Sequence, residues 1–291
     1  MDVLTGYIPF MGYKTWYRIV GKCEEGKFPL LVLHGGPGSN HSYLKSLDDI
    51  AKTGHAVIYY DQLGCGMSKV PDGCIDYSTE LWQEEVNVVR EALGLKKVHI
   101  LGHSWGGMLA MQYAISQPNG VISLIIASSP ASIPLWVSEA KRLLSYLPKE
   151  MQKAIEIGES TGNYDYPGYK EGYDEYYRRH VCMLDPYPDY IKKSFDDEPE
   201  CYLLMQGHSE FVVTGRLKDW DVTDQLHTIS IPTLVTSGLM DEATPLIAKA
   251  IHDRIPNCRW ELLNGTHMVH AEEREKYNNL IVNYITETEG N

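Results

Sequence analysis

Short apolar runs that end in Gly, Asp or Ser alternate along the chain with longer segments whose apolar residues recur at helical spacing. Apolar runs bounded by turn residues are typical of buried strands. Their alternation with helical patterns predicts a mainly parallel sheet wrapped by helices. The predicted strands are Trp16–Val20, which belongs to an antiparallel hairpin, and Leu30–Leu33, Ala56–Tyr60, Val98–Leu101, Ile122–Ala127, Thr233–Ser237 and Trp260–Leu263.

Helices are predicted between these strands, where apolar residues return every three or four positions. The segment Glu80–Leu93 follows the capping residues Ser78 and Thr79, and it stops before Gly94. A hydroxyl residue before a helix and a glycine after it are ordinary boundary signals. The other predicted helices are Gly107–Gln117, Leu246–Ile255 and Glu272–Thr288.

Residues 131–228 interrupt this alternation, because they repeat no strand pattern and are rich in Tyr, Glu, Lys and Pro. Tyrosines crowd residues 164–190, and so many polar-tipped rings suit a half-exposed lid over a pocket better than a fully buried helix pair. The alternative is a surface helical hairpin that touches no substrate. We expect a core of residues 1–130 and 229–291 with a helical cap (lid) domain of residues 131–228.

Composition narrows the class of protein. The 291 residues carry a formal net charge of −13, which opposes docking on nucleic acid or acidic lipid. No apolar run is long enough to span a membrane, and the first residues lack the pattern of a secretory signal. The six cysteines are scattered and are expected to be reduced thiols. We therefore expect a cytoplasmic protein with no nucleic-acid or membrane partner.

Ser104 is the candidate nucleophile. It lies in a Gly-x-Ser-x-Gly pattern formed with Gly102 and Gly106, directly after one predicted strand and before a predicted helix. The two glycines permit the tight strand-to-helix turn that exposes a serine hydroxyl above a sheet. The alternative is a Gly-Ser loop that only connects strand to helix.

A serine hydroxyl needs a histidine base and an orienting carboxylate. Asp241 comes shortly after the strand Thr233–Ser237, and His267 follows the last strand and a short turn, so the chain order is Ser, acid, His. His270 is the competing base, but it falls at the start of the last helix. His267 and His270 could also form a metal pair, although no third ligand is evident. No metal or organic cofactor is expected.

Backbone donors for a developing oxyanion are expected from two places. The loop His34–Gly38 follows the strand Leu30–Leu33, and the N–H of Gly36 is the first candidate donor. The N–H of Trp105, directly after the nucleophile, is the second. The alternatives for this loop are a phosphate cradle or a plain turn, but it lacks the Lys-Ser/Thr of a P-loop.

Three segments together carry a family resemblance: His34–Gly38, Asp61–Ser68 and Gly102–Gly107. They resemble the proline iminopeptidase family of serine aminopeptidases in the α/β-hydrolase superfamily. The likeness runs from about residue 5 to about residue 285. Within the insert, Gly207–Phe211, Gly215 and Asp219–Asp221 are similar to the subgroup of the tricorn-interacting aminopeptidase. Leu63 departs from the pattern, since many members carry Arg there.

The resemblance implies an α/β-hydrolase fold with an inserted helical lid and helices on both faces of the sheet. It also implies that Glu210 and Glu242 hold the free α-amino group of the substrate. The expected activity is release of N-terminal residues, with proline preferred, from short peptides or aminoacyl amides. An amino-acid amidase or an esterase with the same triad is the main alternative, and a binding protein with idle chemistry is another. Dehalogenase and epoxide hydrolase chemistry need Asp where Ser104 stands.

Overall fold

One eight-stranded sheet organises the protein, whose computed structural model describes residues 1–194 and 199–290. The strand order is β1-β2-β4-β3-β5-β6-β7-β8. Strands β1 and β2 form an antiparallel hairpin, β2 is antiparallel to β4, and all later pairings are parallel. The strands are β1 Val3–Phe10, β2 Tyr13–Val20, β3 Leu30–Leu33, β4 Val57–Tyr60, β5 Val98–His103, β6 Val121–Ala127, β7 Thr233–Gly238 and β8 Cys258–Leu263.

The central strands are buried on both faces, as their continuous apolar runs predict. Side chains alternate between the two faces of a strand, so Leu31 and Leu33 join one hydrophobic cluster while Leu30 and Val32 join the other. Helices α1 (Thr79–Ala92), α2 (Trp105–Ile115) and α8 (Pro245–His252) cover the first face. Helix α10 (Arg274–Glu289) and a 3₁₀ helix, His41–Thr53, cover the second.

The last predicted helix, Glu272–Thr288, is wrong in its bounds. The structure has a short helix α9 (Val269–Glu272) and then α10, and the chain leaves helical geometry at Glu273 with φ −108° and ψ 40°. The carboxylate of Glu272 accepts hydrogen bonds from the backbone N–H and the hydroxyl of Thr266, at 2.7 and 2.6 Å. These bonds hold α9 against the preceding loop, so it cannot continue straight into α10.

Within its described part, residues 131–194 and 199–228, the segment between β6 and β7 consists of helices joined by loops and contains no strand. Its two ends lie side by side, because Ile133 donates to the Trp220 carbonyl and Val222 donates to the Ala131 carbonyl, each at 2.9 Å. None of the described helices is long and apolar enough to cross a membrane. The helices are α3 Ile133–Leu144, α4 Lys149–Thr161, α5 Tyr169–His180, α6 Asp189–Lys192, α7 Glu200–Met205 and a 3₁₀ helix, Thr223–Thr228.

The turn after β5 depends on glycine, which makes a stability prediction. A Cβ added at Gly106 would lie 2.1 Å from the carbonyl oxygen of Leu33, which belongs to the buried strand β3. We expect Gly106→Ala to reduce the free energy of unfolding by roughly 2–3 kcal/mol, the scale of overpacking a core. Gly26→Ala is the control, because Gly26 has φ +82° with open space around it. We expect Gly26→Ala to reduce the free energy of unfolding by about 1 kcal/mol, because only the left-handed backbone disfavours the alanine. If chemical denaturation shows the same loss of unfolding free energy in both variants, the packing argument is contradicted.

Candidate active site

Ser104 lies in a strained turn between β5 and α2. Its backbone has φ 55° and ψ −126°, a region that non-glycine residues rarely occupy. The turn is tight because Gly102 and Gly106 touch, and a Cβ on Gly102 would lie 2.1 Å from the Gly106 carbonyl oxygen. Helix α2 begins at the next residue, so the serine sits at the positive end of that helix.

His267 and Asp241 form the second part of the site. The ring nitrogen Nδ1 of His267 donates to Oδ1 of Asp241 at 2.9 Å, and both side chains are buried. The carboxylate of Asp241 also accepts from the backbone N–H groups of Ala243 and Gly238, at 2.8 and 3.2 Å. These bonds fix the carboxylate, and the carboxylate in turn orients the imidazole.

Three neighbours hold the loop of His267 in place. The backbone N–H of His267 donates to the carbonyl of His180, the last residue of α5, at 3.0 Å. The next residue, Met268, donates to the Val181 carbonyl at 2.9 Å. From the end of β5, Nε2 of His103 donates to the carbonyl of His267 at 2.9 Å. The loop that carries His267 is therefore held by residues of both the sheet and the insert.

The two candidate bases differ in their surroundings. Burial alone would lower the pKa of His267, but the carboxylates of Asp241, Glu242 and Glu210 outweigh it and raise the pKa to about 9. Burial lowers the pKa of His270 to about 3, helped by the charge of His267. Nδ1 of His270 lies 2.7 Å from the Ser46 hydroxyl, and His270 does not line the cavity that contains Ser104. The geometry favours His267 as the base.

The loop after β3 lies beside the nucleophile. Gly36 and Gly38 have φ values of 116° and 114°, and both line the cavity. The N–H of the preceding residue, Gly35, donates to the Tyr43 hydroxyl at 2.8 Å. The second expected donor, Trp105, is the first residue of α2, where backbone N–H groups have no acceptor within the helix.

Glu242 is a buried carboxylate with an unpaired oxygen. It is 5% exposed, and its Oε2 has no hydrogen-bond partner among the described residues. Its Oε1 lies 3.7 Å from Nε2 of His267. Burial raises the pKa of Glu242 to about 8, because the charged form loses its hydration, and neighbouring carboxylates add to the shift.

Glu210 reaches the same cavity from the insert. Its Oε1 accepts a hydrogen bond of 2.7 Å from the hydroxyl of Tyr202 in α7. Burial raises the pKa of Glu210 as well. Two carboxylates from different segments, both destabilised by lost hydration, thus converge near His267. Such a pair is suited to binding a cation.

The cavity has a volume of about 760 Å³ and lies between the strand-end loops and the insert. The insert contributes an aromatic wall in which the rings of Tyr173 and Tyr177 stack with their centroids 4.1 Å apart. Five of the predicted site residues line this cavity, and Asp241 and Trp105 lie behind it. The five are Gly36, Ser104, Glu210, Glu242 and His267.

Sequence reasoning missed a hydrogen-bonded chain beneath the site. The Tyr43 hydroxyl accepts from the Gly35 N–H and lies 2.9 Å from Nδ1 of His103, whose other nitrogen binds the His267 carbonyl. This chain links the glycine loop, the nucleophile turn and the base loop. His103 lies within the Gly-x-Ser-x-Gly pattern and could have been noticed. Tyr43 lies in the 3₁₀ helix that the sequence analysis did not predict.

The fold and the geometry define an α/β-hydrolase, and a family model described as the alpha/beta hydrolase fold matches residues 29–274. A proline iminopeptidase of Clostridium botulinum is 43% identical over 95% of this chain and 96% of its own length. A proline iminopeptidase of Lactobacillus delbrueckii subsp. lactis is 43% identical over 98% of this chain and 99% of its own length. The chain belongs to the proline iminopeptidase family, which confirms the resemblance and the predicted fold class.

Solved structures agree with this assignment. The crystal structure of a proline iminopeptidase from Mycobacterium smegmatis superimposes with a TM-score of 0.92 at 37% identity, covering 98% of this chain and 99% of that one. The crystal structure of VinJ gives a TM-score of 0.94 at 36% identity with the same coverage.

Proposed function

We propose that this protein is a serine aminopeptidase that removes the N-terminal residue, with proline preferred, from short peptides and aminoacyl amides. The observation that carries the proposal is the buried carboxylate of Glu242. Its Oε2 has no hydrogen-bond partner among the described residues, and Glu242 lines the same cavity as Ser104 and His267. A buried carboxylate oxygen without a hydrogen-bond partner is costly, and a substrate ammonium would supply that partner. The names of the relatives point to the same activity.

In the proposed mechanism, the Ser104 hydroxyl attacks the carbonyl carbon of the first residue while His267 takes its proton. Asp241 keeps the imidazole in the correct orientation and stabilises its charged form. The N–H groups of Gly36 and Trp105 stabilise the oxyanion. His267 then gives the proton to the leaving amine, and water hydrolyses the acyl-enzyme. No metal or organic cofactor is required for these steps.

Substrate length follows from the proposed cap, residues 131–228, over the core of residues 1–130 and 229–291. The cap is tied to the site, because the His180 carbonyl accepts hydrogen bonds from the backbone N–H groups of Glu242 and His267, at 3.2 and 3.0 Å. It also supplies Glu210 and the aromatic wall of the cavity. The cavity of about 760 Å³ is of the size that takes a small ligand, so we expect short peptides rather than folded proteins to be cleaved.

The nucleophile and base can be tested by substitution. We expect Ser104→Ala to lower kcat/KM for a free prolyl anilide by roughly four to six orders of magnitude, the scale seen when one member of a triad is lost. His267→Ala should be nearly as severe. His270→Ala should cause only a small loss, since His270 lies outside the cavity. Unfolding curves of each variant check that the fold is intact. Activity surviving in Ser104→Ala, or a reversed order of the two histidines, contradicts the mechanism.

Recognition of the free amine separates an aminopeptidase from an esterase with the same triad. A charge-assisted hydrogen bond contributes about 1.5–3 kcal/mol, so Glu210→Gln or Glu242→Gln should each lower kcat/KM for the free anilide roughly 10- to 150-fold. The N-acetylated anilide should be a poorer substrate still. Glu91→Gln, at an exposed position on α1, is the matched control and should behave as wild type.

The alternative functions predict a different result. If the wild type cleaves free and N-acetylated anilides equally well, or if neither variant loses activity on the free anilide, the amine site is absent. An esterase or amidase without amine recognition would then be the better assignment.

A further inference from the structure

The protein itself places more acidic than basic side chains around His267. Three carboxylates, those of Asp241, Glu242 and Glu210, influence the single imidazole of His267. Asp241 and Glu242 are buried, so water screens them poorly. Something must compensate this excess of negative charge before a substrate arrives.

Both ring nitrogens of His267 face a carboxylate. Nδ1 donates to Asp241 at 2.9 Å, and Nε2 lies 3.7 Å from Oε1 of Glu242. The second distance is too long for a good hydrogen bond but is within the range of an ion pair. Nε2 is also the nitrogen that must be unprotonated to accept the proton of Ser104. The carboxylate of Glu242 thus favours a protonated Nε2 on His267, whereas the reaction requires Nε2 to be unprotonated.

We propose that the substrate-free enzyme retains one proton on the His267–Glu242 pair, and that the ammonium group of the substrate displaces this proton, so that the base is freed only when an N-terminal amine is bound. The inference rests on the proposed function. It gives Glu242 a second role in addition to holding the amine.

The charges support displacement. The neighbouring carboxylates raise the pKa of His267, and burial raises the pKa of Glu242, so the two groups together hold a shared proton more tightly than either free group would. An ammonium between Glu210 and Glu242 neutralises the carboxylates that attract the proton, and it adds a positive charge near His267. Both effects lower the proton affinity of the imidazole. The proton passes to water, and no covalent bond changes in this step.

Lys192 is the one lysine or arginine among the described residues that line the cavity, and it forms no ion pair with Glu210 or Glu242. Burial lowers the pKa values of His103, His180 and His270, so these rings are neutral at pH 7. The side chains that face the pair from the surrounding elements are Asp241 after β7, Glu210 after α7, Tyr176 and His180 from α5, His103 from β5 and His270 from α9.

The consequence is selectivity at the chemical step. An ester or amide without an α-amine meets a protonated base and reacts slowly at neutral pH even if it fits the cavity. A substrate with an α-amine releases the base on binding. Amine recognition would then raise kcat as well as lower KM.

Proton release can be measured without turnover. Titration calorimetry of Ser104→Ala with prolinamide at about pH 7, where the amine is mostly charged, is run in buffers of different ionisation enthalpy. We expect release of about one proton per ligand bound. Binding with no proton release overturns this inference and leaves the proposed function standing. Absence of binding removes the amine site and overturns both.

A neutral substrate provides the second test. Phenyl cyclopentanecarboxylate has the ring of proline without its nitrogen, so the loss of an amine contact cannot affect it. For the wild type, we expect kcat/KM to rise with pH through a midpoint near 9, as His267 loses its proton. In Glu242→Gln the midpoint should fall by about one unit or more, and the rate at pH 7 should increase roughly tenfold.

Glu91→Gln is again the control and should leave the profile unchanged. An unchanged midpoint in Glu242→Gln, or a slower reaction of the ester at pH 7, would refute the displacement of a shared proton. The opposite effects expected of one substitution, a loss with the amine substrate and a gain with the ester, distinguish this role from a purely structural one.

Discussion

The site depends on the parallel arrangement of β3, β5, β7 and β8, because parallel strands bring their carboxyl ends to one edge of the sheet. The loops that follow these strands carry the glycines of the β3 loop, Ser104, Asp241 and His267. Residues that are far apart in the chain thereby meet around one cavity. The close contact of Gly106 with the Leu33 carbonyl fixes the height of the nucleophile turn above the sheet.

The insert completes the site electrostatically as well as sterically. It contributes Glu210 and the His180 carbonyl, and the latter accepts from the backbone of both Glu242 and His267. A site that gathers carboxylates around one imidazole is unfavourable when empty, because buried charges lose hydration. In our account this unfavourable charge balance is the basis of amine recognition, since the substrate supplies the cation that the protein lacks there.

Much of the fold could be predicted from the sequence because the central strands are buried on both faces and appear as continuous apolar runs. Strand β1 was missed because it lies at the sheet edge, and most of its residues are exposed. The break at Glu273 accompanies hydrogen bonds that Glu272 accepts from Thr266 and from the backbone N–H of Met183, and the second of these joins distant parts of the chain. A local motif predicted Ser104 as the nucleophile, whereas the roles proposed for Glu210 and Glu242 came from a family resemblance, since a single Glu carries no chemical signature.

The most direct test of the central claim is a crystal structure of Ser104→Ala with a bound prolyl dipeptide. Our account predicts the amine nitrogen within hydrogen-bond distance, about 2.7–3.2 Å, of carboxylate oxygens of both Glu210 and Glu242. It also predicts the carbonyl oxygen of the first residue directed at the N–H groups of Gly36 and Trp105. A dipeptide bound with its amine in solvent, and with these two carboxylates still unpaired, would contradict the account.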